Sequence, residues 1–251
     1  MKIFVTDKYT IITAVLIFAL VAVTLPLTNL ALEASNTDRD LPIYSVERPD
    51  KMISLTFDCA WGADDVDAVI AALSEHNCRA TFFVLGTWAE KYPDAVKKLS
   101  DAGHEIANHS YNHAYYTQLS SEDMLTDMDK CDNAIEQILG HKTDLFRAPA
   151  GDYNNSVVNT VQGSGRFYIQ WDADSLDYRD LTSAQMEERI MSKVGPGSIL
   201  LFHTGTKNTA TALSPILTRL EQEGYTFCPA GELIYRDSYT IDHTGRQFPM
   251  Q

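Results

Sequence analysis

Short apolar runs rich in β-branched and aromatic residues alternate along this chain with longer stretches of helical period. The runs fall at 52–57, 80–85, 105–107, 144–147, 167–171, 198–202 and 225–228, and the helical stretches at 65–75, 88–101, 121–139, 154–162, 183–194 and 210–223. Near-continuous apolar strands separated by helices predict a parallel sheet covered by helices. Seven such units predict an α/β fold, a distorted (β/α) barrel of about seven parallel strands. An open doubly wound sheet is the competing architecture, but no Gly-x-Gly-x-x-Gly follows the first strand to support a dinucleotide fold. Acids open one helix at Ser121-Glu122-Asp123, and Gly103, Gly140 and Gly224 each follow a helical stretch, where glycine most easily adopts a left-handed cap.

The N-terminus has a different pattern. No charged residue lies between Tyr9 and Leu32, long enough to cross a hydrocarbon core of about 30 Å. Lys2 and Lys8 precede the stretch, and Glu33, Asp38 and Asp40 follow it. The bias predicts one N-terminal transmembrane helix with its start in the cytoplasm and the rest of the chain outside. A cleaved signal peptide is the rival, with Ala31-Leu32-Glu33-Ala34 as a weak cleavage site. The expected organisation is a cytoplasmic stub and anchor at 1–32, a polar linker at 33–50, a folded domain at 51–235 and a tail at 236–251. The tail is polar and aperiodic, expected to wrap the domain or to be disordered.

Composition narrows the partners. The chain has 251 residues, 45% hydrophobic and 22% charged, which supplies a sizeable core, and its net charge is −14. An acidic chain is repelled by nucleic acid and by anionic membrane faces. The four cysteines, Cys59, Cys78, Cys131 and Cys228, show no Cys-x-x-Cys spacing. Their even count permits disulfides outside the cell, while Cys78, Cys131 and Cys228 read most simply as core residues.

Polar residues collect at the predicted strand ends. Asp58 ends the first run, His109 and His113 follow the third, Arg147 ends the fourth, Asp172, Asp174 and Asp177 follow the fifth, and His203 ends the sixth. In a (β/α) barrel the reacting groups gather at that end. Two histidines four apart lie on one face of a helical turn and can reach one ion. Asp58 can act as a base, or cap the next turn. Arg147, emerging from an apolar strand, needs an acid, and Asp58 is its natural partner, whether for catalysis or as a structural ion pair. His203 paired with Asp174 can remain protonated and act as an acid, or be a satisfied core histidine. Tyr178 and Trp171 can form a sugar-stacking wall or simply be core.

Taken together these segments resemble the polysaccharide deacetylase family, the NodB-homology or carbohydrate esterase family 4 domain, over about residues 50–235. Thr56-Phe57-Asp58 is similar to the first motif, Thr-Phe-Asp-Asp. His109-Ser110-Tyr111-Asn112-His113 matches the second, Arg147-Ala148-Pro149-Ala150-Gly151 the third with Ala150 for tyrosine, Asp174-Ser175-Leu176-Asp177-Tyr178 the fourth with tyrosine for tryptophan, and Leu201-Phe202-His203 the fifth. The resemblance implies a divalent metal, zinc or sometimes cobalt or nickel, on His109 and His113. It implies Asp58 as general base oriented by Arg147, His203 as general acid supported by Asp174, and the Ala150 N–H as an oxyanion donor. The implied reaction is removal of N-acetyl groups from an aminosugar glycan.

One position departs from the pattern. The third metal ligand of the family is the second aspartate of the first motif, and Cys59 stands there. Its thiolate can bind metal, Asp64 or Asp65 can reach in from the following loop, or the third ligand is absent. Cys59-Ala60-Trp61-Gly62 resembles the first-motif variant of membrane-anchored members from spore-forming bacteria. The sequence therefore points to an extracytoplasmic deacetylase of peptidoglycan, at N-acetylglucosamine or N-acetylmuramic acid. A glycan-binding or sporulation scaffold that kept the barrel and lost catalysis is the alternative. Glycoside hydrolysis by Asp58 and Asp174 would leave the histidine pair unexplained.

Overall fold

A computed structural model of the protein describes residues 39–250. Its strands are β1 (Ser45–Val46), β2 (Met52–Cys59), β3 (Thr81–Val84), β4 (Glu105–Asn108), β5 (Leu145–Phe146), β6 (Phe167–Tyr168), β7 (Ala173–Asp174), β8 (Ile199–His203), β9 (Thr226–Phe227), β10 (Tyr239–Ile241) and β11 (Arg246–Pro249). Its helices are α1 (Val66–Glu75), α2 (Gly86–Lys91), α3 (Pro93–Asp101), α4 (Ser121–Leu139), α5 (Asn155–Gly163), α6 (Ser183–Met191), α7 (Thr209–Gln222) and α8 (Ala230–Leu233).

The parallel ladder runs β6-β5-β4-β3-β2-β8-β7, with β9 added alongside β2. All seven expected strands are present. The run at 167–171 forms strand only at β6, at one end of the ladder, and the additional β7 follows it at the other end. The backbone of Ile43 bonds to Tyr168 and Gln170 beside β6, and Val46 N–H donates to Gly197 O just before β8. Residues 43–46, expected to be linker, thus bond to both sides of the open seam, and Ile43 and Val46 are buried there. The expected tail also contributes structure: β11 pairs parallel with β1 and antiparallel with β10.

Side-chain parity in β2 decides what faces the cleft. Ile53, Leu55, Phe57 and Cys59 join the main apolar layer with the helices. Phe57 stacks there on Phe82 and Phe202, with centroids at 4.7 and 5.5 Å. Thr56 and Asp58 point the other way and meet Arg147.

Local signals account for most helix ends. The Ser120 hydroxyl accepts from Asp123 N–H to cap α4, and left-handed Gly140 closes it. Thr182 and Gln185 form a capping box on α6. The stretch expected as one helix at 88–101 breaks between α2 and α3 because Pro93 excludes Tyr92 from helical backbone. Among the described residues no helix is long and apolar enough to cross a membrane, and the segment expected to do so, 1–32, lies outside them. Cys59, Cys78, Cys131 and Cys228 are all buried and free.

Candidate active site

The strand ends surround a cleft of about 330 Å³ lined by Asp58, His109, His113, Asp174 and His203 among its polar groups, and by Trp61, Ala150, Trp171, Tyr178 and Leu201. Arg147 lies beneath it, fully buried. Its guanidinium donates to Asp58 Oδ1 at 2.7 Å, to Thr56 Oγ1 at 2.9 Å and to Gln170 O at 3.1 Å, and it packs 4.0 Å from the Phe83 ring centre. A charge this deep is tolerated because nearly every donor has an acceptor. The Asp58–Arg147 pair is therefore as the sequence predicts.

Burial pushes the Asp58 carboxyl up, but His109 when its ring is protonated, with Arg147 and His203, overcomes it and holds Asp58 below the usual carboxylate range. His109 is itself pushed down to about 4, chiefly by burial, so at neutral pH its ring is uncharged and Arg147 is the steady cation beside Asp58. His109 Nδ1–H donates to the carbonyl of Arg147 at 3.0 Å, which leaves Nε2 with a free lone pair 3.5 Å from Asp58 Oδ2.

His109 and His113 are not on a helical turn. Ser110 and His113 have left-handed φ values of 72° and 64°, and the segment is a loop pinned by Asn108 and Ser110 side chains. The two rings still meet edge to face, with centroids 5.7 Å apart.

His203 departs from expectation in its partner. Its Nδ1–H donates to Asp177 Oδ1 at 2.7 Å, and Asp177 Oδ2 accepts from His203 N–H and from Thr209 Oγ1. Asp174 instead lines the cleft and accepts from Leu176 N–H. The fourth motif turns left-handed at Leu176 (φ 53°), which carries the second acid, not the first, under the imidazole. Burial pushes His203 down, but Asp177, Asp58 and Asp174 raise it above its ordinary value. Asp174 is raised by burial.

Ala150 has a left-handed backbone (φ 57°, ψ 15°) at the cleft, an unusual conformation for a residue with a Cβ. Trp171 lies over the Arg147 guanidinium at 5.4 Å. Sequence reasoning missed Trp61, a half-exposed indole 5.2 Å from the His203 ring. Its signals were a large aromatic at a strand end and its place in Cys59-Ala60-Trp61-Gly62.

A catalytic zinc site needs three protein ligands, and the residues here do not complete one. Cys59 faces the helix-side core and burial drives its thiol far above the ordinary range, so no thiolate is offered to the cleft. Asp64 lines a separate groove with Lys91 and Lys98. Asp65 accepts from Gly205 N–H with both oxygens. Among the described residues no three of His, Cys, Asp or Glu converge into a metal-holding group. His109 and His113 remain as two imidazole donors.

Comparison with known proteins follows the same lines. The family model described as polysaccharide deacetylase matches residues 45–168. Bacillus subtilis (strain 168) YlxY is 31% identical over 194 residues, 77% of this chain and 60% of its own. The peptidoglycan-N-acetylglucosamine deacetylase PgdA of Listeria monocytogenes is 31% identical over 193 residues, 77% of this chain and 41% of its own. The alignments thus span less than two thirds of those relatives. Among solved structures, wild-type BA3943 of Bacillus anthracis, a CE4 family pseudoenzyme, superposes with a TM-score of 0.74 at 31% identity over 78% of this chain and 69% of that one. A mutant of BA3943 has restored enzymatic activity.

Proposed function

The chain belongs to the polysaccharide deacetylase family, and from that premise we propose that it is a hydrolase removing N-acetyl groups from the aminosugars of peptidoglycan, at N-acetylglucosamine or N-acetylmuramic acid. The observation that carries this reading is the pairing in one cleft of an ionised carboxylate held by Arg147 with an imidazole held by Asp177. One group is poised to take a proton and the other to give one. PgdA, named for that activity, supports it.

In the reaction so read, Asp58 takes a proton from water as the oxygen attacks the acetamide carbonyl carbon. The Ala150 N–H stabilises the resulting oxyanion. His203 Nε2, its other nitrogen fixed by Asp177, gives its proton to the sugar nitrogen as the C–N bond breaks. The products are acetate and the free amine. These steps use this chain's own residues. A divalent ion such as zinc, cobalt or nickel would have only His109 and His113 as imidazole donors. The uncharged stretch from Tyr9 to Leu32 supports a single-pass membrane anchor with this domain outside the cell.

The test is acetate release from purified peptidoglycan by the full chain, with the deacetylated sugar identified by mass. Release by the wild type that disappears in Asp58→Asn is expected; equal release by both would refute the assignment. A second reading has a specific observation behind it: Cys59 turned from the cleft leaves the ligand set short, and BA3943 is a pseudoenzyme. Glycan binding without acetate release on any substrate would establish that scaffold reading instead.

A further inference from the structure

Trp61 is 49% exposed and joins no apolar cluster of the core, yet its position is closely fixed. Gly62 O accepts from Trp88 Nε1 at 3.3 Å. Three residues on, the Asp65 carboxylate holds Gly205 N–H with both oxygens at 2.9 Å. Gly205 has φ +73°, and a Cβ there would lie 2.4 Å from Gly62 N, so the loop bearing Trp61 and the loop following His203 pack backbone against backbone. This clamp sets the indole over the His203 ring at 5.2 Å and 30°. Tyr178, 45% exposed, meets the same imidazole edge-on at 5.5 Å.

A large aromatic left half in water gains little from folding, and holding it still costs entropy. Half-exposed, rigid aromatics at a cleft rim are the groups that anchor ligands. The apolar face of a pyranose ring is a flat array of C–H groups, complementary to an indole face. Asp65 was a candidate metal ligand, but its carboxylate is spent on the clamp.

We propose that Trp61 is a substrate-positioning residue: the ring of the N-acetylated sugar stacks on its indole, which brings the scissile acetamide nitrogen to His203. This rests on the deacetylase reading above. Tyr178 also borders the imidazole and lines the same cleft.

The experiment compares wild type, Trp61→Ala and Trp61→Phe in acetate release from peptidoglycan. Affinity for the N-acetylglucosamine tetramer is measured by calorimetry with each change placed on Asp58→Asn. Loss of one stacking face predicts that Trp61→Ala raises KM and Kd about tenfold, with a much smaller effect on kcat, and that Trp61→Phe recovers most of both. Thermal unfolding should not move, since the indole supports no core. If Trp61→Ala lowers kcat while KM and Kd stay at wild-type values, the indole only props His203 and the platform is wrong. If the wild type hydrolyses peptidoglycan but tetramer affinity is the same with and without the indole, the platform fails and the deacetylase reading stands. Wild type that neither binds nor hydrolyses acetylated glycan overturns both.

Discussion

Asp58 and His203 are register partners, Cα opposite Cα at the ends of the adjacent parallel strands β2 and β8. The proposed base and acid are therefore set relative to each other by the ladder, with Thr204 N–H donating to Asp58 O as its last rung. Each then has its own buried support: Arg147 under Asp58, and Asp177 under His203. Arg147 follows β5 directly, Asp177 is bonded to Thr209 at the start of α7, and Asp58 and His203 themselves lie on β2 and β8, so the proton-handling groups sit on rigid elements rather than on mobile loops.

Asp58→Asn isolates the base. The amide oxygen can still accept from Arg147, so the fold should persist, but a buried cation is left without its counter-charge. A loss of about 3 kcal/mol in stability is expected from breaking a buried pair, and acetate release should fall by at least about a hundredfold, as for loss of a general base. Guanidinium unfolding and acetate assays read the two effects separately. A hydrolytic rate near that of the wild type would remove Asp58 from the mechanism.

Asp177→Asn and Asp174→Asn distinguish the two acids of the fourth motif. His203 is raised above its ordinary 6.5 with Asp177 as its bonded partner. Activity that needs the protonated ring is held at low pH and lost as pH rises through that raised value. The ion pair's stability follows the same sign: it is fully present below 6.5 and disappears as pH climbs through the folded value. Asp177→Asn should move the alkaline limb of kcat/KM to lower pH, and Asp174→Asn should move it less. The reverse order would restore Asp174 as the partner.

Period and parity were legible in the sequence; backbone sign and offset were not. The seven strands and the span of α4 follow from apolar periodicity, because each buries one consistent face. The parity of β2 also held the answer on Cys59: a strand that points Asp58 at the cleft and continues one more residue must send position 59 to the helices. The left-handed turns at Ser110, His113 and Leu176 carry no sequence mark, since none is glycine. For that reason four-residue spacing alone predicts a helical turn for the histidine pair, and the first acid of the fourth motif, Asp174, reads as the partner of His203, three residues short of Asp177. Residues 43–46 read as linker because two buried apolar residues, Ile43 and Val46, make too short a run to carry a strand signal.

Zinc titration tests the ligand set. Two neutral imidazoles without a third protein ligand should bind zinc weakly. His109→Ala should abolish what binding there is, whereas Cys59→Ser should leave it unchanged and cost about 0.5–2 kcal/mol of stability, because a hydroxyl replaces the thiol in the apolar layer with Thr204 as its partner. Equilibrium dialysis with metal analysis measures the first effect and thermal unfolding the second. A drop in zinc content for Cys59→Ser would put the thiol in the cleft after all.

The left-handed backbone at Ala150 allows its N–H to be tested apart from its side chain. Glycine adopts φ 57° without the Cβ clash that costs an ordinary residue about 1–2 kcal/mol. Ala150→Gly retains the N–H and should be neutral or slightly stabilising, with acetate release near that of the wild type. Ala150→Pro both removes the N–H and demands φ near −65°. It should lose activity by about a hundredfold, the usual consequence of deleting one oxyanion donor. Because proline also strains the turn, Ala150→Val serves as the control, since it keeps the donor while adding strain of its own. Circular dichroism establishes that each variant is folded, and kcat then separates the cases. Activity lost in the valine and proline variants alike would assign the effect to the turn, whereas loss confined to proline assigns it to the N–H.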